Sequence, residues 1–96
     1  MKRKKDDTKK KVLLCVNAAL EKKAKDITIL NMQKVTSFTD YAIICSGNSD
    51  RQVQSIAQAI EEHMKKNGFL PLGIEGEKTA RWILMDYADI IVHVFY

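Results

Sequence analysis

The sequence has few cysteines, no long apolar run and no clear leader peptide, and each shortage excludes a class of protein. Cys15 and Cys45, the only two cysteines, form no CxxC motif and cannot supply a dense disulfide framework, which favours a reducing compartment and two small core thiols. No stretch approaches the roughly 20 apolar residues of a membrane span. A basic start precedes apolar Val12–Val16, but Asn17 breaks the run and no convincing cleavage site follows. We therefore expect a cytoplasmic location and no membrane segment.

Patterns that carry catalysis are also scarce. A nucleotidyltransferase holds two divalent ions with an Asp-x-Asp pair, and the chain contains no such pair. A catalytic cysteine is activated by an adjacent base such as histidine, and neither cysteine has a histidine nearby in sequence. Asp86, Asp89 and His93 lie close in sequence, but alternation along a strand makes His93 a hydrogen-bonded, partly buried residue. We predict no enzymatic activity and no cofactor or metal; an enzymatic alternative would rest on Glu75, Glu77, Asp86 and His93.

The positive charge is concentrated at the start of the chain. Residues 1–11 hold seven Lys or Arg and two Asp, whereas residues 12–96 hold nine Lys or Arg and ten Asp or Glu. This distribution predicts a basic, flexible tail over residues 1–11 and a single domain over residues 12–96. The tail would add only an unspecific, salt-sensitive contact with RNA phosphate.

Two helices are indicated by apolar periodicity. The first is predicted from about Thr8 to Lys25. The second opens with a capping box at Ser49 and Gln52 and ends at Gly68 in the left-handed conformation. The predicted apolar faces are Leu13, Val16, Leu20 and Ala24 in the first helix, and Val53, Ile56, Ala57, Ile60 and Met64 in the second.

Five strands are indicated by short β-branched or alternating runs. The second, apolar on both faces, is predicted to lie inside the sheet with cover on each side. Pro71 favours an edge or a strand start for the third, and the short link between the last two predicts a hairpin. The fold class is therefore α/β, a mixed sheet of about five strands flanked by helices. The predicted strands are Ile27–Met32, Asp40–Ser46, Leu70–Ile74, Arg81–Met85 and Ile90–Tyr96.

One group of residues fits a surface better than a catalytic site. Trp82, Leu84 and Asp86 share a face of their strand, and Tyr87 and Asp89 follow in the turn. Aromatic anchors beside unpaired acids suit a basic protein partner, because tryptophan and tyrosine bury much area and aspartate pairs with Lys or Arg. The alternative is that Trp82 belongs to the core and the acids cap the hairpin.

Three segments resemble the Iojap-type ribosomal silencing factors, in the order and spacing of that family. They are DYAIICSGNSDRQV from Asp40 to Val53, PLGIEG from Pro71 to Gly76, and RWILMDYADIIVHVF from Arg81 to Phe95. The resemblance covers about residues 13–96. It implies an architecture similar to nucleotidyltransferases but without their active site, in agreement with the missing Asp-x-Asp pair.

The resemblance also implies a function and a surface. It predicts a protein that docks on ribosomal protein fourteen of the large ribosomal subunit and sterically blocks joining with the small subunit, repressing translation in starvation or stationary phase. Large-subunit assembly through the same surface is the alternative. The implied partner-binding residues are Trp82, Leu84, Asp86, Tyr87 and Asp89, with Glu75 as a weaker candidate. Family members usually continue beyond the last strand, so we expect that strand to be less well covered here. A homodimer through it or through the Trp82 patch also stays open.

Overall fold

The computed structural model describes the backbone of residues 3–96 and the side chains of residues 7–96. Within this range the chain forms two helices and a five-stranded sheet. The helices are α1 (Arg3–Glu21) and α2 (Asp50–Lys66), and the strands are β1 (Lys25–Asn31), β2 (Tyr41–Ser46), β3 (Gly73–Glu75), β4 (Trp82–Asp86) and β5 (Ile90–Phe95). The predicted α/β class with a mixed sheet of about five strands is confirmed.

The sheet has the strand order β1-β2-β5-β4-β3. β2 and β5 are parallel, and every other neighbouring pair is antiparallel. The predicted β4–β5 hairpin and the edge position of the strand that follows Pro71 are both confirmed. The last strand, however, lies in the middle of the sheet, with partners on both sides. Both edges of this strand are therefore paired within the chain, so it offers no free edge to a second copy.

Helix α2 follows from its sequence with little deviation. The Ser49 hydroxyl accepts a hydrogen bond from the backbone N–H of Gln52 at 3.0 Å, which satisfies one of the unpaired donors of the first turn. The Gln52 side chain accepts from the N–H of Asn48 rather than from that of Ser49. Gly68 follows the helix end with φ +86°, as predicted. The predicted apolar face is buried in full.

Helix α1 differs from its prediction in both start and orientation. It begins at Arg3 rather than at about Thr8, and no break separates residues 3–11 from the rest of the helix. The described part of the predicted flexible tail is therefore helical. Leu13 and Leu20, predicted to face the core, are exposed. The helix buries small residues instead, which permits a close approach to its neighbours; they are Cys15, Ala18 and Ala19.

The two faces of the sheet differ in cover. The covered face packs against both helices and carries the fully buried Ile43, Ile83, Met85, Val92 and Val94. Their neighbours along each strand point the other way. Among the described residues no helix lies on that opposite face, so the predicted cover on both sides of β2 is wrong. We call this opposite side the open face; it carries Leu30, Ala42, Ile44, Glu75, Trp82, Leu84, Asp86, Ile91, His93 and Phe95.

Within the described residues, neither helix is long and apolar enough to cross a membrane.

Candidate functional site

Strand β4, between the central β5 and the edge strand β3, carries most of the predicted site residues. Trp82, Leu84 and Asp86 alternate with the buried Ile83 and Met85, so the prediction that the first three share one face is confirmed. Trp82 is 50% exposed. This is a surface tryptophan, and the alternative that it belongs to the core is wrong.

The edge strand β3 extends the same face with a carboxylate. Glu75 pairs with Leu84 across the antiparallel ladder, so their side chains lie on one side of the sheet. A shallow groove of about 220 Å³ opens between the two strands, lined by Glu75, Gly76, Trp82 and Leu84. The weaker candidate Glu75 therefore lies beside the stronger ones.

Gly76 allows β3 and β4 to approach this closely. It has φ +87°, a left-handed conformation that favours glycine. A Cβ atom at this position would overlap the carbonyl oxygen of Trp82. The backbone N–H of Ala80 also donates to the Gly76 carbonyl at 3.0 Å, closing the loop that returns the chain to Trp82. The glycine thus fixes where the tryptophan enters the open face.

Three aromatic rings pack together on β4 and β5. Trp82 lies opposite Phe95 and diagonal to His93. The ring centroids are 5.6 Å apart for Trp82–Phe95, 5.9 Å for Trp82–His93 and 6.2 Å for His93–Phe95, with the planes within 18° of parallel. Such spacings are those of favourable offset aromatic pairs. We call these three side chains the aromatic cluster.

The aromatic cluster also contains a hydrogen bond. The indole Nε1–H of Trp82 donates to Nδ1 of His93 at 3.1 Å. Burial lowers the pKa of His93, because a partly desolvated site disfavours the charged imidazolium. The sequence-based prediction of a hydrogen-bonded, partly buried histidine is confirmed.

Asp86 ends β4 on the same face. Its carboxylate accepts a hydrogen bond from the N–H of Ala88 at 2.8 Å, an Asx-type contact that shapes the hairpin turn. Ala88 has φ +71°, and the N–H of Tyr87 donates to the carbonyl of Ile90 across the turn. One carboxylate oxygen of Asp86 thus has a structural role, while the residue as a whole stays partly exposed.

Tyr87 leaves the open face at this turn. Its side chain is only 3% exposed and belongs to the core cluster with residues of both helices. Among the described residues its hydroxyl has no hydrogen-bond partner. The expectation that Tyr87 lies in a surface patch with Trp82 is therefore wrong. Asp86 points to the open face, so Tyr87 continues the alternation of β4 and points to the covered face, where the helices pack.

Asp89 also points away from the open face, and its carboxylate is bonded to side chains of α1. Its carboxylate accepts from the Thr8 hydroxyl at 2.6 Å and from Lys11 Nζ at 2.8 Å. Its backbone carbonyl accepts from the Thr39 hydroxyl and from the N–H of Asp40. Asp89 thus fastens the first half of α1 to the β4–β5 hairpin, and it does not belong to the open face.

The catalytic alternative finds little support in the geometry. Among the side chains of residues 7–96, no group of three or more His, Cys, Asp or Glu is placed to hold a metal ion. Cys15 and Cys45 are buried. Desolvation raises the pKa of Cys15 to about 12 and that of Cys45 to about 11, so neither is an activated nucleophile. The prediction that they serve as small core residues is confirmed.

Two residues of the open face were missing from the predicted site. Phe95 and His93 lie on the strand next to Trp82 and complete the aromatic cluster. Their alternation with buried Val92 and Val94 shows which face they occupy. Only the β4–β5 register, with Trp82 opposite Phe95, shows that they meet the tryptophan.

The fold and the site together define a class of protein. It is a small domain with one helical layer, whose open sheet face carries a half-exposed tryptophan and carboxylates. The model of the family described as "Ribosomal silencing factor during starvation" matches residues 5–96. The chain belongs to this ribosomal silencing factor family, as the sequence resemblance predicted.

Relatives and solved structures agree with this assignment. Ribosomal silencing factor RsfS of Bacillus subtilis is 43% identical over 88 residues, which cover 91% of this chain and 75% of the relative. A crystal structure of a Chromobacterium violaceum protein superposes with a TM-score of 0.89 at 33% identity, covering 91% of this chain and 72% of that one. A crystal structure of a Bacillus halodurans protein superposes with a TM-score of 0.84 at 40% identity, covering 88% of this chain and 79% of that one. A more distant relative, Mitochondrial assembly of ribosomal large subunit protein 1 of Mus musculus, is 24% identical over 84 residues, or 84% of this chain and 37% of the relative.

Proposed function

We propose that this protein docks through its open face on ribosomal protein fourteen of the large ribosomal subunit and sterically blocks joining with the small subunit. Translation would thereby be repressed in starvation or stationary phase, in the cytoplasm. The observation that carries the proposal is the half-exposed Trp82 on an uncovered sheet face, in a chain whose family is described by ribosomal silencing.

The apolar part of the open face supports a protein partner. Trp82 and Phe95 are both exposed beside the partly buried Leu84. Tryptophan is strongly enriched at binding hot spots, since one side chain removes a large apolar area from water while its N–H keeps a partner. Monomeric domains rarely leave such a continuous apolar surface open without a use.

The charged part of the open face supports a basic partner. Glu75 and Asp86 lie on either side of Leu84 on adjoining strands, and neither forms a salt bridge with another described residue. Ribosomal proteins are rich in Lys and Arg because they pack against RNA, so acidic groups around an apolar anchor fit that chemistry. Complementary charges of this kind chiefly set specificity and association rate.

The alternative function is assembly of the large subunit through the same face. It is favoured by one observation, the name of the Mus musculus relative, which describes assembly of a ribosomal large subunit. Depletion in the native host separates the two functions. Accumulated large-subunit precursors would support assembly, whereas normal particles with excess translation in stationary phase would support silencing.

Two further contacts belong to the same proposal. The basic start of the chain adds a salt-dependent contact with ribosomal RNA through the exposed Lys9 and Lys10; the side chains of residues 1–6 lie outside the described residues. A homodimer formed through the Trp82 patch would compete with docking. Sedimentation at increasing protein concentration, with and without subunits, measures that competition.

Co-sedimentation with separated ribosomal subunits tests the proposal. The wild-type protein should pellet with large subunits and reduce the joined ribosomes formed when small subunits are added at physiological salt. Trp82→Ala should weaken binding by about 30-fold or more, the loss of a hot-spot residue. Leu13→Ala, which truncates an exposed apolar side chain on α1, is the matched control and should bind as wild type does. Equal affinity for folded Trp82→Ala would contradict docking through the open face.

A further inference from the structure

The Trp82–His93 hydrogen bond specifies the protonation state of the histidine. An indole N–H only donates, so Nδ1 of His93 must present a lone pair to accept it at 3.1 Å. The imidazole is therefore neutral and carries its proton on Nε2. A protonated imidazole has donors at both nitrogens and cannot form this bond.

The bond and the stacking hold Trp82 from two directions. His93 contacts the edge of the indole diagonally across the β4–β5 ladder, while Phe95 lies directly opposite. A half-exposed tryptophan without these neighbours would sample several rotamers. Fixing it before docking reduces the side-chain entropy lost on binding, which is how preorganisation raises affinity.

We propose that His93 is a positioning residue for docking: its neutral imidazole holds Trp82 in the orientation that the open face presents, and its protonation releases Trp82 and weakens docking. The effect of His93 on docking rests on the proposed function, whereas the coupling between His93 and Trp82 does not.

The surroundings of His93 favour the neutral form at neutral pH. On the neighbouring strands it lies beside Ile44 of β2 and Leu84 of β4, both apolar. Burial lowers its pKa below the ordinary value, so protonation requires acid conditions. Docking should consequently be complete at neutral pH and should weaken as the pH falls through the lowered pKa.

The charged groups that face His93 are few. Asp86 and Glu75 are the titratable side chains of the open face on β4 and β3. Arg81, which precedes β4, lies with its guanidinium carbon 5.0 Å from the centre of the Tyr96 ring. Among the described residues, none of these charged groups hydrogen-bonds His93, so the hydrogen bond to Trp82 is what its protonation breaks.

The first experiment uses the single tryptophan of the chain as a reporter. Its fluorescence is followed from about pH 8 to about pH 5, a range that brackets histidine titration. The wild-type protein should show one transition below the ordinary histidine pKa, because an adjacent imidazolium quenches indole emission. His63→Gln removes the second histidine of the chain, which lies on α2, and should keep the transition. His93→Gln should lack it. An Asp86→Asn control should also keep it. A wild-type titration without a transition, or the same transition in His93→Gln, would overturn the coupling.

The second experiment measures affinity for isolated large subunits at about pH 7.5 and about pH 5, the acid end of the fluorescence titration. His93→Phe keeps an aromatic ring but offers no acceptor, so it should bind about three- to tenfold more weakly than wild type at the higher pH, the loss of one hydrogen bond. His93→Gln retains an acceptor that does not titrate, so its affinity should change less with pH than that of wild type and His63→Gln.

The two experiments separate the possible failures. Wild-type affinity in a folded His93→Phe variant would overturn the positioning role while leaving docking intact. A wild-type protein that shows the fluorescence transition but binds no large subunit would instead overturn the proposed function and, with it, the effect of His93 on docking. Circular dichroism of each variant establishes that it is folded before either conclusion is drawn.

Discussion

The two faces of the sheet are made by the same strands and differ in what completes them. On the covered face, alternate residues of β2, β4 and β5 pack against both helices and are fully buried. On the open face, their neighbours form an aromatic cluster and a groove bordered by Glu75, with no helix among the described residues above them. Every second residue of a strand thus contributes to the core, while the residues between them stay available on the surface.

The β4–β5 hairpin shows the same division at closer range. Before the turn, Trp82, Leu84 and Asp86 serve the open face. At the turn, Tyr87 enters the core and Asp89 fastens α1. Residues adjacent in sequence therefore have different roles, and substitutions on the two sides of the turn should separate stability from binding.

The largest effect is expected from Ile83→Ala on the covered face. Ile83 is fully buried, so the substitution removes apolar contacts and leaves a cavity, which should lower the free energy of unfolding by about 2–5 kcal/mol. Leu84→Ala, one residue along on the open face, should cost clearly less stability and more affinity for the large subunit. Urea denaturation and co-sedimentation measure the two quantities. Equal destabilisation by both variants would contradict the difference in packing between the two faces.

A smaller effect is expected from Asp89→Asn. The substitution removes the charge that pairs with Lys11 and weakens the bond to Thr8, so it should lower the free energy of unfolding by about 1–3 kcal/mol, the range for hydrogen bonds to charged groups. Asp26→Asn is the control, because Asp26 is exposed on β1 and its left-handed φ suits asparagine.

Asp89→Asn also tests the division at the turn. A folded Asp89→Asn protein should bind large subunits within about twofold of wild type, because the side chain lies away from the open face. A loss of affinity as large as that of Trp82→Ala, without a loss of stability, would return Asp89 to the docking surface.

The smallest effect is expected from Tyr87→Phe. The buried Tyr87 hydroxyl has no hydrogen-bond partner among the described residues, so removing it should leave the free energy of unfolding unchanged or raise it by about 1 kcal/mol. Docking should be unaffected. Thermal denaturation monitors the variant, and a clear destabilisation would show that the hydroxyl has a partner in solution.

Much of the fold could be predicted from local sequence. Ser49, Gln52 and Gly68 set the ends of α2 because caps act within a few residues. The apolar runs and the four-residue link between Met85 and Ile90 were enough to predict strands and a hairpin. These features depend on neighbours along the chain, which a single sequence contains.

The errors arose where distant parts of the chain decide the structure. Leu13 and Leu20 gave a plausible helical face, but close packing on α2 and the sheet selected the smaller Cys15, Ala18 and Ala19. β2 was apolar on both faces because one face packs on helices and the other forms the open face. Tyr87 was assigned to the turn and so to a surface patch, but it continues the alternation of β4 onto the covered face, where the two helices bury it.

We propose that the open face, and not the exposed surface of α1, docks on the large subunit. The most direct test compares the affinities of Leu84→Asp and Leu13→Asp for isolated large subunits, after circular dichroism has shown that both are folded. Each variant places one carboxylate on one of the two surfaces. We predict a loss of about tenfold or more for Leu84→Asp and wild-type affinity for Leu13→Asp; equal losses, or a loss for Leu13→Asp alone, would contradict the claim.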